Sequence, residues 1–286
     1  MTEKPPGTVT NPNPEIRIAV ASDLHFEFHL ETTLWLPPLP DRCDVLVLAG
    51  DIGVGLGAID AVQRVADRLP NSHIVWVAGN HEFYQGVINF ELERFRKTFA
   101  SHERVHFLED ENVMIHGITF LGCTLWTGFD LLGADRRDSV MAEVEGAIND
   151  FSSIGQMDEG AGSAWRSFTP SDARQRYLDS RRWLGDSLKS CEPERTVVVT
   201  HFPPLFELSD KRRPLDAMTA YYQADCSDLI DVYQPALWLH GHTHWSAKTS
   251  RGRTRIVSNQ LGYPGEEGIP PYNTQLTLSL PVNDRD

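Results

Sequence analysis

Five short groups in the chain carry Asp, Asn or His: Ser22-Asp23-Leu24-His25, Gly50-Asp51, Gly79-Asn80-His81-Glu82, Thr200-His201 and Gly241-His242-Thr243-His244. Together these residue types offer a mixed oxygen and nitrogen ligand set, suited to divalent ions such as Mn, Fe, Zn or Co. A carboxylate among them can bridge two ions, which an imidazole cannot. Taken singly, each group has a plain explanation as a cap or a turn. In "LWLHGHTHW" (237–245), His240, His242 and His244 alternate, which on a strand turns three imidazoles to one side. Whether they form a metal site depends on ligands delivered from elsewhere.

The elements that would deliver them are visible. Each group follows a short apolar run: "IRIAVA" (16–21), "CDVLVLA" (43–49), "HIVWVA" (73–78), "RTVVVT" (195–200) and "PALWL" (235–239). Further runs occur at 105–108, 118–126 and 253–258. Such runs suit strands buried on both faces in a layered α/β fold, and the C-terminal edge of such sheets is where sites assemble. Glycine before Asp51, Asn80 and His242 would let the backbone turn sharply into a pocket.

Helical stripes lie between the runs. Ile59, Val62, Ala66 and Leu69 mark a helix over 57–70, and Ile88, Leu92, Phe95 and Phe99 another over 88–102. Val140, Val144, Ala147 and Phe151 mark 138–151 behind an Asp138 cap, with Asn149-Asp150 as a C-terminal cap. Thr169-Pro170-Ser171-Asp172 opens a helix with a cap, a first-turn proline and an acid three residues on. It continues through Ala173, Tyr177, Leu184 and Leu188. The organisation expected is an N-terminal extension (1–14), one domain (15–280) and a short tail (281–286). The irregular segments 127–170 and 203–222 would form active-site walls.

Composition narrows the partners. A net charge of −14 counts against nucleic acid, which is bound through phosphate neutralisation. The four cysteines are scattered, with no Cys-x-x-Cys pair, no stretch has the length of a membrane span, and the N-terminus carries no apolar leader core. These features read as a cytoplasmic protein.

The motifs "SDLH", "GD", "GNHE", "TH" and "GHTH" resemble the signature of the calcineurin-like metallophosphoesterases, over about residues 16–260. That resemblance implies a four-layer α/β/β/α sandwich, two mixed β-sheets flanked by helices, with a two-metal centre. It places Asp23, His25 and His244 on one divalent ion, Asn80, His201 and His242 on the other, and Asp51 between them. His81 would face the substrate, stabilising phosphate oxygens or protonating the leaving group. Metals in such a centre activate a water for in-line attack on phosphorus. One departure stands out. Where the protein-phosphatase branch has an Asp that orients the His81 equivalent, this chain has Val54 in "GDIGVGLG". Glu82 or a backbone carbonyl are the candidates to replace it.

The function implied is hydrolysis of a small phosphate ester, diester or monoester, with a small phosphodiester such as a cyclic nucleotide favoured. A nuclease of the same family and a non-catalytic binding module are the alternatives. His240 and the other histidines, His29, His73, His102, His106 and His116, are expected to be structural. Trp126, Phe129, Trp165, Phe168, Tyr222 and Trp245 could stack on a base, but packing is the simpler role for each. Arg136–Arg137 and Lys211–Arg213 could reach a second phosphate.

Overall fold

The strands follow one another as β1 (Glu15–Ala21), β2 (Val45–Ala49), β3 (His73–Val77), β4 (Val105–Phe107), β5 (Glu111–Ile115), β6 (Ile118–Cys123) and the short β7 (Gly155–Met157) and β8 (Trp165–Ser167). They continue as β9 (Thr196–Thr200), β10 (Leu237–His240), β11 (Lys248–Arg251), β12 (Thr254–Ser258) and β13 (Thr277–Pro281). Among them lie α1 (Leu56–Arg68), α2 (Ile88–Phe99), α3 (Arg137–Glu145), α4 (Asp150–Ser153), α5 (Pro170–Leu188), α6 (Ala217–Tyr221) and α7 (Ser227–Tyr233). This computed structural model describes residues 15–29, 35–158, 164–208 and 210–282. The expected N-terminal extension and residues 283–286 of the expected tail lie outside the described residues; Pro281 closes β13.

Two mixed sheets stack face to face. One has the order β13-β1-β2-β3-β4, the other β11-β12-β10-β9-β6-β5, and β7 with β8 forms a separate hairpin. In the first, β1, β2, β3 and β4 run parallel and β13 is antiparallel to β1. In the second, β6, β9, β10 and β12 run parallel, and antiparallel β5 and β11 close its edges.

Alternation along each strand decides which layer a side chain enters. Val45, Val47 and Ala49 of β2 meet Val197 and Val199 of β9 and Leu237 and Leu239 of β10 in the seam between the sheets. Leu46, Leu48, Val198 and Trp238 point the opposite way, into the cores that the helices cover. Both faces of the central strands are therefore apolar, which is why the runs read as continuous.

The helices differ from expectation at one place. Asp138 lies in the first turn of α3 rather than capping it, and α3 ends at Glu145. Ala147 is exposed, and Asp150 is a buried first residue of α4 rather than a C-terminal cap. The α5 start is as read: Thr169 and Asp172 form a capping box with Pro170 in the first turn. β5, β7, β8, β11 and β13 lie outside the strand runs read from the sequence. No helix among the described residues is long and apolar enough to cross a membrane.

Candidate metal centre

Five parallel strands end at the same edge of the stacked sheets, and the residues just past those ends carry the polar groups. The backbone there is unusual: Asp23 (φ 54°), His25 (φ 47°), Asp51 (φ 54°), His242 (φ 79°) and His244 (φ 54°) all adopt left-handed conformations. Non-glycine residues enter this region rarely, Asp and His more readily than most, and such conformations cost about 1–3 kcal/mol each. The chain holds them with backbone bonds between strand ends: Asp23 N–H donates to Gly50 O (3.0 Å), His25 N–H to Asp51 O (3.0 Å) and Gly241 N–H to His201 O (2.9 Å).

The glycines before the site residues serve mainly as space. A Cβ on Gly79 would lie 2.2 Å from Asp51 Oδ1, and one on Gly241 would lie 2.8 Å from Asp23 Oδ2. Only Gly50 also needs its conformation, with φ +85° and a Cβ position 2.3 Å from His201 Nδ1. The sharp turn expected of all three is thus a requirement at one of them.

Asp23, His25, Asp51, Asn80, His201, His242 and His244, far apart in sequence, come together here and are buried. Asp23, His25 and His244 form one compact cluster, and Asp51, His201 and His242 a second. Asn80 joins the second, with its Oδ1 3.2 Å from His201 Nε2. One oxygen, Asp51 Oδ2, faces both clusters, 3.4 Å from His201 Nε2 and 4.0 Å from His25 Nε2.

The tautomers identify what would sit between these groups. His201 Nδ1 lies 2.9 Å from the carbonyl of Ala49, which only a ring N–H can satisfy. In the neutral ring its Nε2 presents a lone pair toward Asn80 Oδ1, Asp51 Oδ2 and, at 3.1 Å, His242 Nδ1. Likewise His25 Nδ1 donates to Glu27 Oε1 (3.0 Å) and His244 Nδ1 to Glu266 Oε2 (2.5 Å). In the neutral rings the two Nε2 atoms face each other as acceptors at 3.1 Å, with Asp23 Oδ1 3.7 Å from His244 Nε2. Acceptors converging on acceptors call for a cation, and histidines braced through the far nitrogen are what metal ligation requires. The donor set fits divalent ions. The same convergence favours a proton: burial disfavours charge on His201, yet Asp51 more than offsets it and raises its pKa to about 9. His242 is pushed well below the usual histidine range by burial and then by His201.

His81 stands beside the clusters. Its Nδ1 lies 2.9 Å from Glu27 Oε1 and its Nε2 3.3 Å from the Tyr263 hydroxyl. Burial works against a charge on its ring, but Asp51 and Glu27 outweigh it and raise the pKa to about 9. Glu27 in turn resists burial through bonds from His25 and His81, which lower its pKa to about 2. Glu27 thus orients His81, in the place left open by Val54. Glu82 does not: it accepts N–H bonds from Asp51 (2.9 Å), Ile52 (2.8 Å) and Gly79 (2.7 Å), tying together the loops after β2 and β3.

Asp150 was likewise hidden in the sequence. Fully buried, it accepts from Asn80 Nδ2 (2.9 Å), Tyr84 (2.8 Å) and Tyr221, so it fixes which end of the Asn80 amide faces His201. Neither Asp150, Tyr263 nor Glu266 has a local pattern that marks it; Glu27, two residues past His25, carried the nearest thing to a signal. His240 remains apart from both clusters, buried with Nε2 unpartnered and its pKa lowered by burial to about 4.

A cavity of about 210 Å³ opens over the clusters. Ile148 and Asp150 from segment 127–170, Arg213 and Tyr222 from segment 203–222, and Tyr263 and Glu266 line it. Trp126, Phe129 and Phe168 are buried in the core, so they cannot take a ligand. Trp245 lies under the Arg212 guanidinium, 4.6 Å from its ring centroid.

Two stacked mixed sheets, with paired Asp/His clusters at their common edge, define a metal-dependent phosphoesterase architecture. The calcineurin-like phosphoesterase family profile matches residues 16–246, and the chain belongs to that family, hydrolases of phosphoric esters. It is similar to an uncharacterized protein, L509, of Acanthamoeba polyphaga mimivirus: 26% identical, covering 88% of this chain and 93% of that protein. Among solved structures it resembles the phosphopantetheinyl hydrolase PptH of Mycobacterium tuberculosis, with a TM-score of 0.64 and 18% identity, covering 86% of this chain and 89% of that one. TT1561 of Thermus thermophilus is also similar, with a TM-score of 0.48 and 13% identity over 94% of this chain and 100% of that one.

Proposed function

We propose that the protein hydrolyses small phosphate esters, diesters or monoesters, with a small phosphodiester such as a cyclic nucleotide the preferred class, at a two-metal centre. Asp23, His25 and His244 would hold one ion, Asn80, His201 and His242 the other, and Asp51 both. The observation that carries this reading is the single Asp51 oxygen turned toward imidazole nitrogens of both clusters. Divalent ions bound there would acidify a water and polarise the phosphoryl oxygens.

The chain's own residues do the rest. Glu27 holds His81 Nδ1, which leaves Nε2 directed at the cavity where an ester oxygen would sit. The proton on that nitrogen can pass to the departing alkoxide, an effect of about 10²–10⁴-fold for a positioned acid. Asp150 and Glu82 hold Asn80 and Asp51 in register. The small cavity suits a small molecule, and the −14 charge disfavours a polyanion held along an open surface.

The test is a screen of bis-p-nitrophenyl phosphate, p-nitrophenyl phosphate and DNA across Mn, Fe, Co, Ni and Zn. Turnover of the small esters, abolished in Asp51→Asn, is the expected result. Undiminished activity in Asp51→Asn would refute the two-ion assignment, and faster cleavage of DNA would overturn the substrate class.

A further inference from the structure

Beside His25, two large aromatic rings stay open to solvent: Phe28 is 54% exposed and Tyr263 41%. Their ring centroids lie 5.3 Å apart at 89°, making a right-angled corner. The Tyr263 ring also packs at 4.5 Å on both His25 and His244, and its hydroxyl is the group that meets His81 Nε2. Its N–H donates to Glu266 Oε2, the oxygen that also accepts from His244, so the ring is anchored through the site itself. Gly262, with φ +78° and a Cβ position 2.7 Å from Ile269 Cδ1, lets the chain turn the ring over the cavity.

We infer that Phe28 and Tyr263 form a subsite for a planar aromatic group, a nucleobase, carried on the leaving-group side of the ester. The inference rests on the phosphoesterase reading above. A leaving oxygen facing His81 Nε2 would sit beside the Tyr263 hydroxyl, 3.3 Å from that nitrogen, so the group attached to it reaches the Tyr263 ring and, across it, Phe28. Exposed apolar rings gain by covering, and every base has a face to stack; a perpendicular pair offers one ring for stacking and one for an edge contact. Phe28 lies outside the residues that line the cavity and joins the site through Tyr263 and His25. Two other rings line the cavity: Tyr84 stacks on His81 with its hydroxyl tied to Asp150, and Tyr222 packs beside His242 of the second cluster.

The experiment compares adenosine 5′-monophosphate with ribose 5-phosphate, which share the scissile bond and leaving alkoxide and differ in the base. The readout is the ratio of their KM values. Wild type is expected to favour the base-bearing ester by about tenfold, the scale of one stacked base. Phe28→Leu and Tyr263→Leu should collapse that ratio toward one. Tyr263→Phe, which keeps the ring and loses only the hydroxyl, should preserve it, as should Phe28→Trp. A ratio near one in wild type, or one unchanged in both leucine variants, overturns the inference. Failure to hydrolyse any ester would sink the phosphoesterase reading instead. Calorimetric titration of the same two compounds into the Mn-loaded protein would then still decide the subsite, by the same affinity ratio and its loss in the leucine variants.

Discussion

Replacing Glu82 by Gln tests whether one carboxylate holds the floor of the site together. The side chain is fully buried and takes three backbone N–H groups, with Oε2 accepting from Asp51 and Gly79 and Oε1 from Ile52. An amide of the same shape has one oxygen only. Placed to keep Asp51 and Gly79, it turns its NH₂ onto the Ile52 N–H and strands two donors against each other. One buried donor left unpaired costs about 1–3 kcal/mol. At about 2–4 °C per kcal/mol for a chain of this size, that is a fall in Tm of about 2–12 °C, measured in EDTA so that metal does not contribute. Because Asp51 and Asn80 sit on the two loops that Glu82 joins, affinity for Mn should also fall by about 10–100-fold. A Glu82→Gln protein with wild-type Tm in EDTA and wild-type Mn affinity would refute the argument.

Asp150→Ala frees the Asn80 amide to rotate, so calorimetry should show about 10–100-fold weaker binding of one ion while the other is nearly unaffected. Glu27→Gln leaves His81 with a weaker acceptor; kcat for an alkyl ester should fall more than kcat for a p-nitrophenyl ester, whose leaving group needs no acid. Equal losses on both esters would argue against His81 as the acid. Burial, then His73 and His102, lower the His106 pKa to about 4 in the folded chain, against about 6.5 unfolded. Its contribution is full above pH 6.5 and lost as pH falls toward 4, because the unfolded chain takes up the proton first. Tm should therefore drop between pH 6.5 and 4.5, and His106→Asn should flatten that slope; an unaltered slope rejects the assignment.

The strand ends could be located in the sequence because each central strand is buried on both faces, so its apolar run is unbroken and its end is abrupt. Five such ends carrying Asp, Asn or His made the residues that the fold brings together readable before any geometry. The edge strands β5, β11 and β13 escaped for the complementary reason. β13 buries only Leu278 and Leu280, and β11 has three of its four residues exposed, so neither produces an apolar run. Helix α3 was overextended because Ala147 falls on the stripe by spacing, although it faces the cavity rather than the core. The bracing residues Glu27, Asp150 and Glu266 were out of reach because each is defined by a partner distant in sequence or by a loop path. Asp150 meets Asn80 across 70 positions. What orients His81 could be posed as a question from Val54 alone, but only the fold supplies Glu27 as its answer.

The left-handed backbone at Asp23, His25, Asp51, His242 and His244 bears on which sequences can occupy this edge. Those positions filter residue types twice, once by what can bind and once by what can sit at positive φ. Asp, Asn and His pass both filters; Glu and Cys, though competent ligands, pass the second poorly, and Val, Ile or Thr fail it outright. The strain of five such residues, about 5–15 kcal/mol in all, is comparable with the whole stability of a typical domain. A combinatorial library at these five positions, selected for folding alone, should therefore return folded protein enriched in Asn, Asp, His and Gly and depleted of Val, Ile and Thr.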